Sequence, residues 1–121
     1  MKALLINGSP HEKGCTYTAL AELARTLEAE GIEAEIVQAG KTNISCNACG
    51  VCKKTNRCVH DDLVNEVAQK FNEADALVIG SPVYYASPAG GAISFMDRLF
   101  FSTPWINKTM KVGASVVSCR R

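Results

Sequence analysis

Lys2-Ala-Leu-Leu-Ile-Asn-Gly8-Ser-Pro-His-Glu-Lys-Gly14-Cys-Thr-Tyr-Thr18 opens the chain, and its reading decides the fold. Lys2 to Asn7 is a short, unbroken apolar run ended by Gly8. A run without polar alternation is a strand buried on both faces, the kind found in parallel sheets. The second half leads into a helix. From Thr16 to Glu30, Leu20, Leu23, Ala24 and Leu27 recur at helical spacing, and Gly31 stands where a helix C-cap is wanted. Strand, glycine-bearing loop and helix in immediate succession are the start of an alternating α/β chain.

The alternation continues outward from there. Glu33-Ala-Glu-Ile-Val37 is a second, weaker strand whose charges suit a sheet edge. A cysteine-rich loop follows, from about Ser45 to Val59. Asp61 or Asp62 can N-cap a helix with the apolar stripe Val64, Val67, Ala68 and Phe71. Ala76-Leu-Val-Ile-Gly80 is a third buried strand. Ser87-Pro88 reads as an N-cap followed by a first-turn proline, opening a helix that carries Ile93, Met96, Leu99 and Phe100. Lys111 to Ser118 is a fourth strand. Such an order implies a parallel sheet with right-handed crossovers. No repeat or low-complexity segment interrupts it. One domain over residues 1–121 is expected. The sequence stops three residues after the fourth strand, at Cys119-Arg120-Arg121, as the N-terminal portion of a longer domain would.

Composition narrows the function classes. The chain has 121 residues, 47% hydrophobic and 21% charged, with a net charge of +1. That balance suits a globular domain and argues against a broad nucleic-acid or membrane surface. No apolar run approaches the ~20 residues of a membrane span, and the N-terminus lacks signal-peptide features. A cytoplasmic location is expected, where six cysteines point to metal chemistry before disulfides.

The Gly8–Thr18 loop places hydroxyls and backbone N–H groups at a helix N-terminus, which is an anion site. Five residues separate Gly8 from Gly14, and Cys15 follows, so the loop is not a P-loop. The dinucleotide fingerprint is absent, and no cysteine has an arginine at tyrosine-phosphatase spacing. A site for a terminal phosphate monoester remains. Ser9, Thr16 and Thr18 offer donors, His11 adds a donor or partial charge, and Cys15 and Tyr17 share the loop. The competing reading is a helix cap and turn without a ligand, with Cys15 a small filler.

Gly80-Ser-Pro-Val-Tyr-Tyr-Ala-Ser-Pro88 leaves the third strand. In open α/β sheets, ligands bind outside the carboxyl ends of the strands at the switch point. In the order 2-1-3-4-5 the first and third strands flank that crevice, so the two loops should face one another. Pro82 stiffens the turn, and Tyr84 and Tyr85 offer flat faces and polar tips to a tricyclic ring. Tyrosines that simply pack are the alternative.

Cys46, Cys49, Cys52 and Cys58 form the pattern C-x2-C-x2-C-x5-C. The first three match the spacing that wraps a [4Fe–4S] cluster in bacterial ferredoxins, whereas the fourth does not. Zinc, air-formed disulfides and plain loop thiols are the alternatives. Lys53, Lys54 and Arg57 would partly offset thiolate charge and raise a cluster's potential. His60-Asp61-Asp62 reads as a helix cap with acids at the favourable dipole end. Phe95, Met96 and Phe100 read as helix core, and Trp105 as a residue of a subunit interface, so a homo-oligomer is expected.

Asn7-Gly-Ser-Pro with Gly14-Cys-Thr, Gly80-Ser-Pro-Val-Tyr-Tyr, and Cys46-Asn-Ala-Cys-Gly-Val-Cys with Cys58 and Asp61-Asp62 together resemble the NAD(P)H-dependent FMN reductase and iron–sulfur flavoprotein group. The resemblance implies a flavodoxin-like doubly wound parallel sheet, order 2-1-3-4, with a fifth strand missing. It implies that Ser9, His11 and Thr16 hold the phosphate of flavin mononucleotide (FMN), and that Pro82, Val83, Tyr84 and Tyr85 line its ring. It also implies that all four cysteines share one cluster. His11 and Cys15 depart from the arginine and asparagine frequent in the family. A third flavin loop would begin at Cys119-Arg120-Arg121. The function this implies is an FMN-dependent oxidoreductase, with NAD(P)H as donor and a small molecule or protein as acceptor. No side-chain acid, base or nucleophile is needed, and no residue marks a nicotinamide site. An electron carrier between proteins and a non-catalytic fragment are the rival readings.

Overall fold

The computed structural model describes residues 1–119. Arg120 and Arg121, in the expected third flavin loop, lie outside the described residues. In chain order the elements are β1 (Lys2–Asn7), α1 (Cys15–Ala29), β2 (Glu33–Gln38), α2 (Cys52–Thr55), α3 (Leu63–Glu73), β3 (Ala76–Pro82), α4 (Gly90–Ser102) and β4 (Val112–Ser118). A short 3-10 turn at Trp105–Asn107 precedes β4. All strand pairings are parallel, in the order β2-β1-β3-β4.

β1 lies inside the sheet because its residues are apolar on both faces. Leu4 and Ile6 join Val37 and Leu77 under Val64, Val67 and Phe71 of α3 and Phe95 and Leu99 of α4. Ala3, Leu5 and Val78 point the other way, against Leu20 and Ala24 of α1. Each fully buried aliphatic side chain contributes about 1.5–3 kcal/mol, so this strand anchors both layers. β2 is an edge strand with its charged residues outward, as its sequence requires. β4 is the opposite edge, and most of its residues are exposed.

Two features of α4 differ from the sequence reading. The helix starts at Gly90, not at Ser87-Pro88. Pro88 instead pairs with Val83 in an isolated antiparallel bridge, which closes the loop after β3. The N–H of Ala89, at the helix entry, is taken by Ser81 Oγ at 3.0 Å. A tertiary partner therefore does the work assigned to a local cap. The buried stripe is also turned. Ala92, Phe95, Arg98, Leu99 and Ser102 are buried, while Ile93, Met96 and Phe100 are half-buried. That turn carries Arg98 inside. The single-turn helix α2, within the cysteine loop, has no counterpart in the sequence pattern. It ends at Asn56, whose φ of 52° is left-handed.

Among the described residues no helix is long and apolar enough to cross a membrane.

Candidate functional site

The loop after β1 is shaped from below by a buried asparagine. Asn7 Oδ1 accepts from the Ser9 N–H at 3.2 Å. Its Nδ2 donates to Gln38 Oε1 at 2.5 Å and reaches the carbonyls of His11 and Glu12 at 3.5 and 3.4 Å. Gln38 Nε2 then donates to the Ser9 carbonyl at 2.6 Å. Two amide side chains thus hold four points of one loop. Ser9 is buried, and its Oγ accepts from the His11 N–H at 3.1 Å, which leaves the hydroxyl proton free to donate.

At the far side of the loop α1 begins without a side-chain cap and without an acid in its first turn. The leading N–H groups of a helix have no intrahelical partner, so here they are available to an anion, with the dipole in favour. The loop's acid, Glu12, is engaged by Lys41 at 2.5 Å. Buried Thr16 lies in that first turn, its Oγ1 2.9 Å from Ser118 Oγ at the end of β4. Thr18 is exposed and donates to the Gly14 carbonyl at 3.2 Å. His11 and Cys15 are exposed and Tyr17 is half-buried.

Glycines let the β3 end come up against this loop. The Gly8 N–H donates to the Gly80 carbonyl at 2.8 Å. A Cβ on Gly80 would sit 2.8 Å from Leu20 Cδ1 and 2.9 Å from Thr16 Cγ2. Beyond Gly80, Pro82 and Val83 are half-buried, and the Val83 N–H donates to the Ser118 carbonyl at 2.8 Å. Tyr84 and Tyr85 stand at the loop tip, 61% and 95% exposed. Ala86 completes the turn with a left-handed φ of 53°. The structure therefore brings Ser9, Thr16 and the β3 end together. It leaves the tyrosine rings in solvent beside them. An uncapped helix with a free hydroxyl beside it fits a phosphate monoester, and flat exposed rings fit an aromatic ligand.

A second site lies along α4. Cys46, Cys49, Cys52 and Cys58 line one shallow pocket, together with His60, Arg98 and Phe101. All six cysteines are free thiols. Among the described residues no three His, Cys, Asp or Glu side chains converge on one ion. A single zinc ion asks for thiolates about 2.3 Å from a common point, whereas a cubane distributes its thiolates over four irons.

Arg98 and Asn65 are functional candidates the sequence reading missed. Arg98 is 1% exposed. Its guanidinium forms a two-pronged pair with Asp62, at 2.7 and 2.8 Å, and Nε and Nη2 donate to Cys58 Sγ at 3.3 and 3.4 Å. Asn65 fastens the backbone of the same cysteine, accepting from its N–H at 3.0 Å and donating to its carbonyl at 3.1 Å. Asp62 also caps α3, accepting from the Val64 N–H at 3.1 Å, as expected of this acidic pair. Burial pushes the Asp62 carboxyl up. The Arg98 and Val64 hydrogen bonds and the charges of Arg98 and His60 outweigh it and hold the carboxyl below its ordinary range. Arg57 faces Asp61 in an ion pair, whereas Arg98 donates to a cysteine sulfur. The available signal was a charged residue in register with an apolar helical stripe.

A parallel β2-β1-β3-β4 sheet with a glycine-bearing loop after β1 and a tyrosine-bearing loop after β3 is a flavodoxin-like fold. Within that class, the chain belongs to the NADPH-dependent FMN reductase family, which matches residues 1–120. It is 34% identical over 99 residues to an iron–sulfur flavoprotein of Methanocaldococcus jannaschii, covering 81% of this chain and 51% of that one. Among solved structures, RosB with a bound 8-demethyl-8-formylriboflavin-5'-phosphate intermediate superposes with a TM-score of 0.75 at 20% identity, over all of this chain and 53% of that one. A flavodoxin from the domain Archaea gives 0.55 at 14% identity, over all of this chain and 86% of that one. Both structures carry the likeness of fold alone. The chain spans about half the length of the curated relatives it matches.

Proposed function

We propose that this chain forms an FMN-binding and cluster-binding part of an oxidoreductase that takes electrons from NAD(P)H and passes them to a small molecule or a protein. The observation that carries the flavin part is the uncapped start of α1 beside the free Ser9 hydroxyl, on a loop bonded to the end of β3. The leading amides of α1, Ser9 and Thr16 hold the phosphate, with His11, Cys15, Tyr17 and Thr18 at its rim. Asn7 and Gln38 keep the loop in shape. Pro82, Val83, Tyr84 and Tyr85 line the ring. Bound FMN supplies the redox chemistry, and the chain supplies binding and orientation. No side chain acts as acid, base or nucleophile.

Cys46, Cys49, Cys52 and Cys58 hold a [4Fe–4S] cluster in this reading, supported by their shared pocket and by relatives named iron–sulfur flavoproteins. Free thiols suit a reducing, cytoplasmic setting. NAD(P)H rests on the family description. The exposure of Cys46 and Cys49 favours a second reading, electron exchange with a protein partner. Anaerobic steady-state assays separate the two. Rapid NADH or NADPH oxidation with a quinone or free flavin supports the enzyme. Inertness to both nucleotides with fast exchange to ferredoxin supports the carrier.

A further inference from the structure

We infer that Arg98 is a positioning residue for the metal pocket: it fixes the Cys58 sulfur and raises the reduction potential of the cluster held there. The inference rests on the cluster reading of the four cysteines and adds to it a residue outside the motif.

Three observations carry it. First, Arg98 is a wholly buried cation that itself lines the pocket and donates to two other residues of its lining, Cys58 and His60. Beyond Asp62 and Cys58, it donates to the His60 carbonyl at 3.4 Å and the Ile44 carbonyl at 3.5 Å. A planar guanidinium held by two prongs on a carboxylate has a fixed direction, which a lysine ammonium lacks. Second, that fixed direction aims two N–H groups at a single sulfur. Third, Asn65 clamps the backbone of the same residue, whereas Cys46 and Cys49 are exposed. Cys58 is thus set in place by side chains from α3 and α4, before any metal binds. Outer groups that orient a ligand also tune the metal. Hydrogen bonds to a ligating sulfur withdraw charge from it and favour the reduced, more negative cluster, which raises the potential.

The test uses Arg98→Gln and Arg98→Lys in the 121-residue chain, reconstituted anaerobically with ferrous iron and sulfide. Iron content, thermal melting and the midpoint potential from a spectroscopic redox titration are measured together. The expected result is a potential that falls from wild type to Arg98→Lys to Arg98→Gln. Loss of iron from Arg98→Gln to a chelator should be about tenfold faster than wild type or more. The lysine variant keeps the charge without the fork, so it supplies the comparison if the glutamine variant melts too early. Variants whose loaded fraction keeps the wild-type potential, however low the loading, would overturn the inference by reducing Arg98 to a structural residue. A folded wild-type chain that takes up no iron would overturn the cluster reading and this inference with it.

Discussion

Gly80 is where the end of β3 is pressed against α1, and any side chain there has to displace Thr16 or Leu20. Its missing Cβ would meet Thr16 and Leu20 at under 3 Å. Gly80→Ala should therefore cost about 1–3 kcal/mol, the usual range for overpacking a close contact. It should also shift Thr16, so that a thermal melt and an FMN titration both report the change. Asn7 acts on the same loop from beneath. Removing its amide leaves the Ser9 N–H without its acceptor in a buried place, a loss of about 1–3 kcal/mol. Asn7→Ala should weaken FMN more than Thr18→Ala, because Thr18 is exposed and bonded to its own helix. Ser9 and Thr16 stood out in the sequence because hydroxyls cluster at a helix start. Asn7 and Gln38 did not, since they lie on different strands and become neighbours only when the sheet forms.

At the scale of elements, α3 and α4 are joined through one carboxylate. Asp62 caps the first and neutralises a buried arginine on the second. Loss of a cap alone costs about 1 kcal/mol. Asp62→Ala also strands the Arg98 charge, for which a loss of about 3–5 kcal/mol is typical, and chemical denaturation should show this larger value. The pH dependence follows in sign. The Asp62 carboxyl is held below its ordinary 3.8 in the folded chain, so its stabilisation is complete above that value. It is lost as the pH falls through the folded value, because the unfolded chain takes up the proton first. Acid titration of the melting temperature should show this decline in the wild type and a smaller one in Asp62→Asn. The strands and the stripes of α1 and α3 were readable because their periods of burial are local. The start of α4 was not, because Ser-Pro is a local signal and the Val83–Pro88 bridge overrides it. Arg98 was hidden for the same reason: a cation in an apolar stripe names no partner until Asp62 and Cys58 are beside it.

Over the whole molecule, burial is uneven. β1 and β3 lie in the middle of the sheet, with helices on both sides, whereas β4 exposes Val112 and Val117 at 62% and 64%. Trp105 and Ile106, just before it, are 76% exposed. An open parallel edge with apolar side chains is a template for association. Val117→Lys should lower concentration-dependent light scattering of the chain without lowering its melting temperature. The central claim remains that the β1 and β3 loops form a phosphate-reading flavin site. Titration of the chain with FMN and with riboflavin, followed by flavin fluorescence, tests it most directly. Charge-assisted hydrogen bonds contribute about 1.5–3 kcal/mol each, so two of them at the phosphate make FMN at least about 100-fold tighter than riboflavin. Equal affinity for the two flavins, or no binding of FMN by the folded chain, would contradict the account.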